Sequence, residues 1–436
     1  MPEHGNAWCK IVQLHEKSVH TTVIGQEMLL NYPRAKDILE RENFDGLVAQ
    51  LPINVYYLTD YWGLFNTAGG YDASYLAVLP RDDAQPAGLI LPALELRRVE
   101  TKGSWVTNIY AHSSPEAGAI LADGTAKGVD YQGWSVRPDA ELGDLEQRWV
   151  DIVARLGADV SASAFWAVAR AVKAAGLEKA RIAADDSRLA GWLDACGLDN
   201  IQCEYRVDLF NEIRLIKTAD EISLMQIAAR YNETALLKAA DAMAEGITWT
   251  ELENIYMESM ARQGGRGVYL NCGVGELPHG AIRRGEPVLF DALGRYEHYH
   301  GDFGRCAVLG EPTAEHRQRH QHICTGWEVA QEYLQPGVRY SELSSAVGEA
   351  VRREGFRNFR NPVVHSLGLE HTDDPKAPGV QPQDKPDQTL AKGMVVNVDM
   401  PHSEIGWGSV HMEDTVVILD DGCERLSSAD FGMRII

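Results

Sequence analysis

Four carboxylates interrupt apolar runs that otherwise read as β-strands. Asp291 closes the run VLFD, and Asp302 follows eleven residues later in VLFDALGRYEHYHGDFGRC. Asp399 comes directly after the apolar run Met394–Val398, and Glu413 precedes Asp414 and the run Val416–Leu419. A carboxylate set between strand-forming residues is expensive to bury unless it is paired or holds a cation. The Gly- and Tyr-containing stretch after Asp291 predicts a hairpin, whose opposed side chains would lie about 5 Å apart. Two like charges that close raise one pKa unless a cation neutralises them. Gly406 and Gly408 predict a second hairpin between Asp399 and Glu413, fourteen residues apart. One Asp in a turn is commonplace, whereas two carboxylate pairs on two two-stranded units call for a common reason.

The segment VVHSLGLEHTDDP supplies imidazoles, His365 and His371, with Asp373 and Asp374 beside them. Four carboxylates plus His365 match the donors of a two-metal hydrolytic centre. Oxygen-rich ligation with a single histidine suits one or two divalent ions of Mn, Fe, Co or Zn more than a structural zinc. Two such ions about 3.5–4 Å apart can share a hydroxide and polarise a carbonyl.

The scaffold around these residues reads as two regions. NYPRAKDILERENFDGLVAQ predicts a helix leading into a strand at Gly46–Gln50. SYLAVLP and AGLILPALEL predict further strands, and GDLEQRWVDIVARLGADV and ASAFWAVARAVKAAGLEKARIAADD predict amphipathic helices followed by a strand at Ala180–Ala184. That alternation implies a layered α/β domain over residues 1–213. Thr218 and Glu221 form a Thr-x-x-Glu capping box ahead of a long apolar-periodic helix, which opens a second, α+β domain over 214–436. Further helices are expected around Trp249–Gln263, 313–333 and 340–354, strands from about 288 onward, and a flexible Gly-rich loop at Gln263–Gly267.

Composition narrows the partners. At 436 residues with a net charge of −22, the chain repels nucleic acid phosphates and anionic membrane surfaces. Its 45% hydrophobic content suits a globular protein with a full core. Seven scattered cysteines without a CxxC pair fit reduced thiols in a cytoplasmic protein. MPEHGNAWCKIVQLHEK has no apolar core of a signal peptide, and no run of about 18 apolar residues predicts a membrane span.

The order Asp, Asp, His, acid, Glu, carried by HGDFGR, HSLGLEHTD and GSVHMEDTVVI, resembles the pita-bread metallopeptidase family. That family holds prolidases, Xaa-Pro aminopeptidases, methionine aminopeptidases and the metal-free creatinase. NFDGLVAQLPINVYYLTDY resembles the N-terminal domain of its prolidase–creatinase branch, and RLIKTADEISLMQIAARYNETAL the helix opening its catalytic domain. The resemblance implies a creatinase-like α/β N-terminal domain and a pita-bread catalytic domain. It implies that Asp291 chelates one metal, Asp302 and Glu413 bridge two, and His365 and Asp399 complete the second. His371 resembles the family's second histidine, which binds substrate or shuttles protons, and His279 in ELPHG the histidine at the leaving group. The branch forms homodimers in which one N-terminal domain walls the neighbour's site; Tyr61 and Trp62, in a Tyr56, Tyr57, Tyr61, Trp62 cluster near a strand end, are candidates for that wall or for holding a cationic headgroup.

Three departures stand out. The two histidines are six residues apart instead of the family's usual seven, which re-aims His371 and makes Asp373 or Asp374 an alternative acid/base. Asp399 stands where a glutamate followed by proline is usual. His411 stands where prolidase-like members carry an arginine, and alternation puts it on Glu413's face, toward substrate. In HYHGD, His298 and His300 would share a face with Asp302 on a regular strand, although a turn within 295–300 is the simpler expectation.

The expected function is metal-dependent hydrolysis of small amides, Xaa-Pro dipeptidase- or aminopeptidase-like, by metal-bound hydroxide, with Glu413 or a neighbouring carboxylate accepting the proton and a histidine protonating the leaving nitrogen. Two alternatives use the same scaffold. One is a non-peptidase enzyme, either a lyase abstracting an α-proton from a dimethylsulfoniopropionate-type acid or another C–N hydrolase. The other is a non-catalytic peptide-binding protein.

Overall fold

The computed structural model describes residues 28–68, 75–113, 128, 130–273, 280–376 and 386–436. The N-terminal region is a six-stranded sheet in the order β4-β3-β2-β1-β5-β6. Its strands are β1 (Gly46–Ala49), β2 (Leu76–Pro80), β3 (Gly88–Pro92), β4 (Asn108–His112), β5 (Arg181–Ala184) and β6 (Gln202–Tyr205). The central strands are buried throughout, as expected for a sheet covered on both faces. The Ala164–Ala174 helix packs Phe165, Val168 and Val172 against Val48, Val78, Ile90 and Ile182. Leu47, Leu79 and Leu91 face the opposite layer, with Ile38 and Leu39 of the Tyr32–Arg41 helix. Tyr56 and Tyr57 lie in a helix, Pro52–Thr59, and not at a strand end.

The C-terminal region is an eight-stranded sheet. Its main path runs β10-β11-β14-β9-β8-β7. These strands are β7 (Arg266–Gly273), β8 (Pro287–Tyr296), β9 (Tyr299–Val308), β10 (Val363–Ser366), β11 (Val395–Asp399) and β14 (Glu413–Ile418). A small hairpin, β12 (His402–Glu404) and β13 (Gly408–Val410), is inserted between β11 and β14. Asp399 and Glu413 therefore face each other across paired strands, but not through the direct hairpin read from Gly406 and Gly408. Gln263–Gly267 is no flexible loop, because Gly264 turns the chain with a φ of +87° and β7 begins at Arg266.

Period-two alternation splits the strands between two environments. Val288, Phe290, Ala292 and Phe303 enter a core with the Ala219–Asp241 and Trp249–Arg262 helices. Val364, Val396, Val398, Val416 and Ile418 enter a second core with the Ala314–Tyr333 and Tyr340–Arg353 helices. The carboxylate-bearing positions are the intervening residues and point the other way.

Local chemistry fixes the frame. The Thr218 hydroxyl accepts from the Glu221 amide at 3.2 Å, and the Glu221 carboxylate accepts from the Thr218 amide at 2.8 Å, closing the expected capping box. The β8–β9 turn is Glu297 and His298, both at positive φ (+42° and +69°), the conformation a two-residue hairpin needs. A Cβ at Gly301 would lie 2.6 Å from the Ala228 backbone, so glycine lets the long helix rest directly on β9. Buried Asn232 locks that contact, donating to the carbonyls of Ala292 (2.6 Å) and Gly301 (2.9 Å) and accepting from the Tyr256 hydroxyl (2.6 Å). Among the described residues no helix is long and apolar enough to cross a membrane.

The two regions meet along a buried ionic seam. Arg214, from the Val207–Leu215 helix, donates to Asp373 Oδ1 through Nε (3.0 Å) and Nη2 (2.6 Å) and to Glu370 through Nη2 (2.7 Å). Its Nη1 donates to Asn54. Lys217 Nζ adds a second cation 3.6 Å from Asp373 Oδ2. Above the seam, His298 stacks on Trp62 with ring centroids 3.8 Å apart, and the Tyr56 hydroxyl donates to the Glu297 carbonyl at 3.3 Å.

Removing one member of a buried ion pair strands the other. Arg214→Ala is therefore expected to lower unfolding free energy by about 3–5 kcal/mol. Asp373→Asn leaves Arg214 its Glu370 partner but strips the buried Lys217 ammonium of its carboxylate, so a cost of the same order is expected. Urea denaturation of both variants measures this, and a cost below about 1 kcal/mol for either would contradict this account of the seam.

Candidate metal centre

Strand register assembles the site. Val363 pairs with Asp399, Asp399 with Glu413, Glu413 with Gly304, Gly304 with Asp291, and Asp291 with Asn271. This rung crosses all six strands of the main path. One step along the strands lies a second rung. His365 pairs with Asn397, Asn397 with Thr415, Asp302 with Leu293, and Leu293 with Tyr269. The Thr415 hydroxyl joins its halves by donating to the Asp302 carbonyl at 3.0 Å. Paired residues and residues two apart share a face, so Asp291, Asp302, His365, Asp399 and Glu413 converge on one side of the sheet.

Three sets of donor atoms lie within 4.8 Å of one another: Asp291, Asp302 and Glu413; Asp302, His365 and His371; and Asp399, His411 and Glu413. His371 Nε2 lies 3.1 Å from Asp302 Oδ2, and His365 Nε2 lies 3.8 Å from the same oxygen. The six-residue spacing thus still brings His371 to the acids. Its imidazole is partly exposed, and although burial works to lower its pKa, the Asp302 carboxylate outweighs burial and raises it.

The electrostatics are those of a cation site. Burial, then the charges of Asp302, Asp399 and Asp291, push the Glu413 carboxyl well above its usual range. Burial chiefly pushes Asp291 up to about 6, with His411 opposing the shift and Asp302 adding to it. Asp302 Oδ1 and Glu413 Oε2 are buried without a hydrogen-bond partner among the described residues. Buried oxygens without donors, on acids that repel one another, fit a divalent ion in chemistry and in donor set.

Other candidates sit elsewhere. Asp373 is not an available acid/base. It is fully buried in the Arg214–Lys217 seam, where these cations outweigh burial and hold its carboxyl below the usual range. Asp374 accepts from the Ser366 amide (3.1 Å) and the Tyr340 hydroxyl (3.2 Å). Tyr61 cannot form an intersubunit wall, since it is fully buried and its hydroxyl donates to Glu95 at 2.6 Å. Trp62 is half-buried against His298 of its own chain. His298 lies in the hairpin turn, and His300 places Nδ1 2.9 Å from the Gly368 carbonyl. His411 is buried, with Nε2 2.7 Å from Asp399 Oδ1. His279 lies outside the described residues.

Several contributors were not singled out from sequence. Asn271 donates to Asp291 Oδ2 at 3.1 Å. The Tyr269 hydroxyl has its pKa raised by burial and by Asp291, Asp302, Glu413 and Asp399, which keeps it protonated. Both stand two apart on β7, a spacing that would have exposed them once β7 was paired with β8. Buried Arg305 donates to the Glu413 carbonyl and to Asp414 Oδ2, both at 2.9 Å, fixing the strand that carries Glu413. The sheet opens into a cleft of about 1540 Å³ lined by Asn271, Asp291, Arg360, His402, Glu404 and Trp407.

Comparison with known proteins places this geometry. Residues 223–420 match the model of metallopeptidase family M24. The Xaa-Pro dipeptidase of Pyrococcus furiosus is 27% identical over 235 residues, covering 51% of this chain and 66% of that protein. That of Pyrococcus horikoshii is 26% identical over 235 residues, covering 51% and 65%. The chain thus spans just under two thirds of the length of these curated relatives. Among solved structures, an Xaa-Pro dipeptidase from Bacillus anthracis superposes with a TM-score of 0.67 at 18% identity, covering 93% of this chain and 99% of that one. The prolidase from Pyrococcus horikoshii OT3 gives 0.64 at 19% identity, covering 92% and 98%. The fold is the pita-bread fold with a prolidase-type N-terminal domain.

A carboxyl whose pKa rises on folding stabilises the fold only while protonated. For Asp291 that contribution is complete below about pH 4 and lost as pH rises through about 6. In chelator-treated protein, Asp291→Asn is expected to be more stable than the parent by about 1 kcal/mol at pH 7.5, an advantage that fades below about pH 5. Saturating divalent metal is expected to invert the order, because only the parent keeps the ligand. Thermal unfolding against pH, with and without metal, checks both signs.

Proposed function

Because residues 223–420 form a metallopeptidase family M24 domain, we propose that this chain is a metal-dependent Xaa-Pro dipeptidase- or aminopeptidase-like hydrolase of small amides. The supporting observation is the convergence of Asp291, Asp302, His365, Asp399 and Glu413 on two adjacent rungs, with buried oxygens of Asp302 and Glu413 lacking donors. Those five residues would hold one or two divalent ions. The bound metal would act as a Lewis acid on the scissile carbonyl and supply the nucleophile near neutral pH.

The chain's own residues divide the remaining work. Glu413, a buried acid at the centre of the cluster, accepts a proton. His371 holds a proton at Nε2 against Asp302 and is partly exposed, so it donates to the departing amine nitrogen. Tyr269 keeps its phenolic hydrogen and offers it to the oxygen on which charge develops. Asn271 and Arg305 hold Asp291 and the Glu413 strand in place. The cleft exceeds the roughly 300–1,000 Å³ of small-ligand pockets, so it admits a dipeptide with room for a longer chain. Relatives named as Xaa-Pro dipeptidases support hydrolysis over the lyase alternative, and a retained donor set speaks against a purely binding role.

Purified protein stripped with chelator is expected to cleave Xaa-Pro dipeptides only after Mn²⁺, Co²⁺ or Zn²⁺ is restored. His365→Ala is expected to lower kcat/KM by at least about 100-fold, and His371→Ala to depress kcat more than it raises KM. A metal-loaded protein inert across a panel of Xaa-Pro di- and tripeptides would refute the proposal; acrylate release from an onium acid would move the chemistry to the lyase.

A further inference from the structure

We propose that His411 is itself a metal ligand through Nε2, giving the centre a second imidazole arm alongside His365. The proposal rests on the metal-dependent reading above but concerns binding, which is measured apart from turnover.

The first observation is orientation. His411 Nδ1 lies 3.1 Å from the Phe290 carbonyl oxygen. A carbonyl can only accept, so Nδ1 carries the hydrogen and donates it. Nε2 then points away from that bond, 2.7 Å from Asp399 Oδ1 and 3.6 Å from Glu413 Oε2. This is the arrangement of a ligating histidine, whose far nitrogen is held by a backbone carbonyl while the near one faces the ion. Two donors about 2.1 Å from a common ion lie about 3.0–3.4 Å apart; the 2.7 Å hydrogen-bond contact with Asp399 falls just below that interval and the 3.6 Å separation from Glu413 just above it, so an ion replacing the proton would widen the first and draw in the second.

The second observation is the orphaned oxygen. Glu413 Oε2 is buried with no hydrogen-bond partner among the described residues, although the imidazole nitrogen is its neighbour. At 3.6 Å, His411 does not satisfy it; an ion shared by the two would. The third is the seat. His411 is 1% exposed, and its ring occupies the space a side chain at position 304 would fill, since a Cβ at Gly304 would lie 2.1 Å from His411 Cε1. The imidazole is built into the floor of the site.

The rival account makes His411 a permanent imidazolium counter-ion to Asp399. Both accounts bring Nε2 to Asp399, but they differ in their consequences for the ion. A ligating His411 shifts the donor set toward nitrogen and hence toward Zn²⁺, Co²⁺ or Fe²⁺ over Mn²⁺. A fixed imidazolium repels the ion and contributes no nitrogen to it.

The test uses the full chain, stripped and titrated with Co²⁺. His411→Asn keeps an amide N–H for the Phe290 carbonyl and removes only the donor at Nε2; His411→Leu, which has no donor atom, is the second variant. At least a roughly tenfold loss of affinity for one Co²⁺, with a changed cobalt absorption spectrum, is expected in folded variants. Parent-like affinity and spectrum in either folded variant would overturn the proposal. If neither folds, X-ray absorption of Co²⁺-loaded His371→Asn protein decides: two coordinated imidazoles, from His365 and His411, support it, and one rules it out. Should the parent bind no Co²⁺ at all, the metal-dependent reading falls first and this inference with it.

Discussion

Everything in the C-terminal region depends on forcing like charges onto one face of one sheet. Asp399 and Glu413 are directly opposed, Asp291 sits one strand beyond Gly304, and Asp302 lies a step away on the same face. In register, these side chains cannot avoid one another. Slipping any strand by one residue would send its carboxylate into the helix-covered core and its valines into the cleft. The apolar alternation therefore does two things at once. It supplies the burial that holds the sheet together, and it fixes the acids where a cation or a proton relieves them. The hydrophobic cores on the back of the sheet outweigh the repulsion on its front, so the fold can present a costly acid cluster without dispersing it.

The segment after His365 shows how the N-terminal region enters this arrangement. Between His365 and Asp374 the chain must return past the acids, and it is gripped twice. Asp374 receives the Ser366 amide, closing the loop on itself. Glu370 and Asp373 are held by Arg214 beneath the N-terminal sheet, on either side of His371. With both flanks pinned, His371 is left to project toward Asp302. A spacing one residue shorter than the family's usual pattern still brings the imidazole to Asp302, with Arg214, from outside the loop, pinning the residues on either side of it.

That contrast marks how far sequence could be read. Asp291, Asp302, Asp399 and Glu413 were legible because strand periodicity is local: a polar residue in an apolar alternation has one face to occupy, and turn residues give the pairing. Asp373 carries the same side chain two residues from a site histidine, yet its partner, Arg214, is distant in sequence and meets it only through domain packing. Tyr61 failed for the same reason, since nothing nearby in sequence announces Glu95 as its acceptor. Tyr269 and Asn271 were missed from the opposite side. Their strand reads as ordinary, and only pairing β7 with β8 brings them to Asp291. The inserted β12–β13 hairpin was hidden because two glycines mark a turn without revealing how many strands flank it.

His411 and Asp399 are best understood together. Each departs from the resembling pattern, a histidine for an arginine and an aspartate for a glutamate, and each is the shorter member of its pair. An aspartate draws the carboxylate back toward β11 by more than about 1 Å, while its oxygen still lies within 4.8 Å of donors of His411 and Glu413. A long guanidinium beside it would overfill the gap, whereas an imidazole reaches it with Nε2 2.7 Å from Oδ1. The ring fits only because Gly304, on the neighbouring strand, contributes no side chain there. Three positions on three segments thus form one steric unit, in which changing any single member toward the longer pattern would leave a gap or a clash. A matched shortening of both partners keeps the space filled while replacing a guanidinium with an imidazole whose Nε2 meets Asp399.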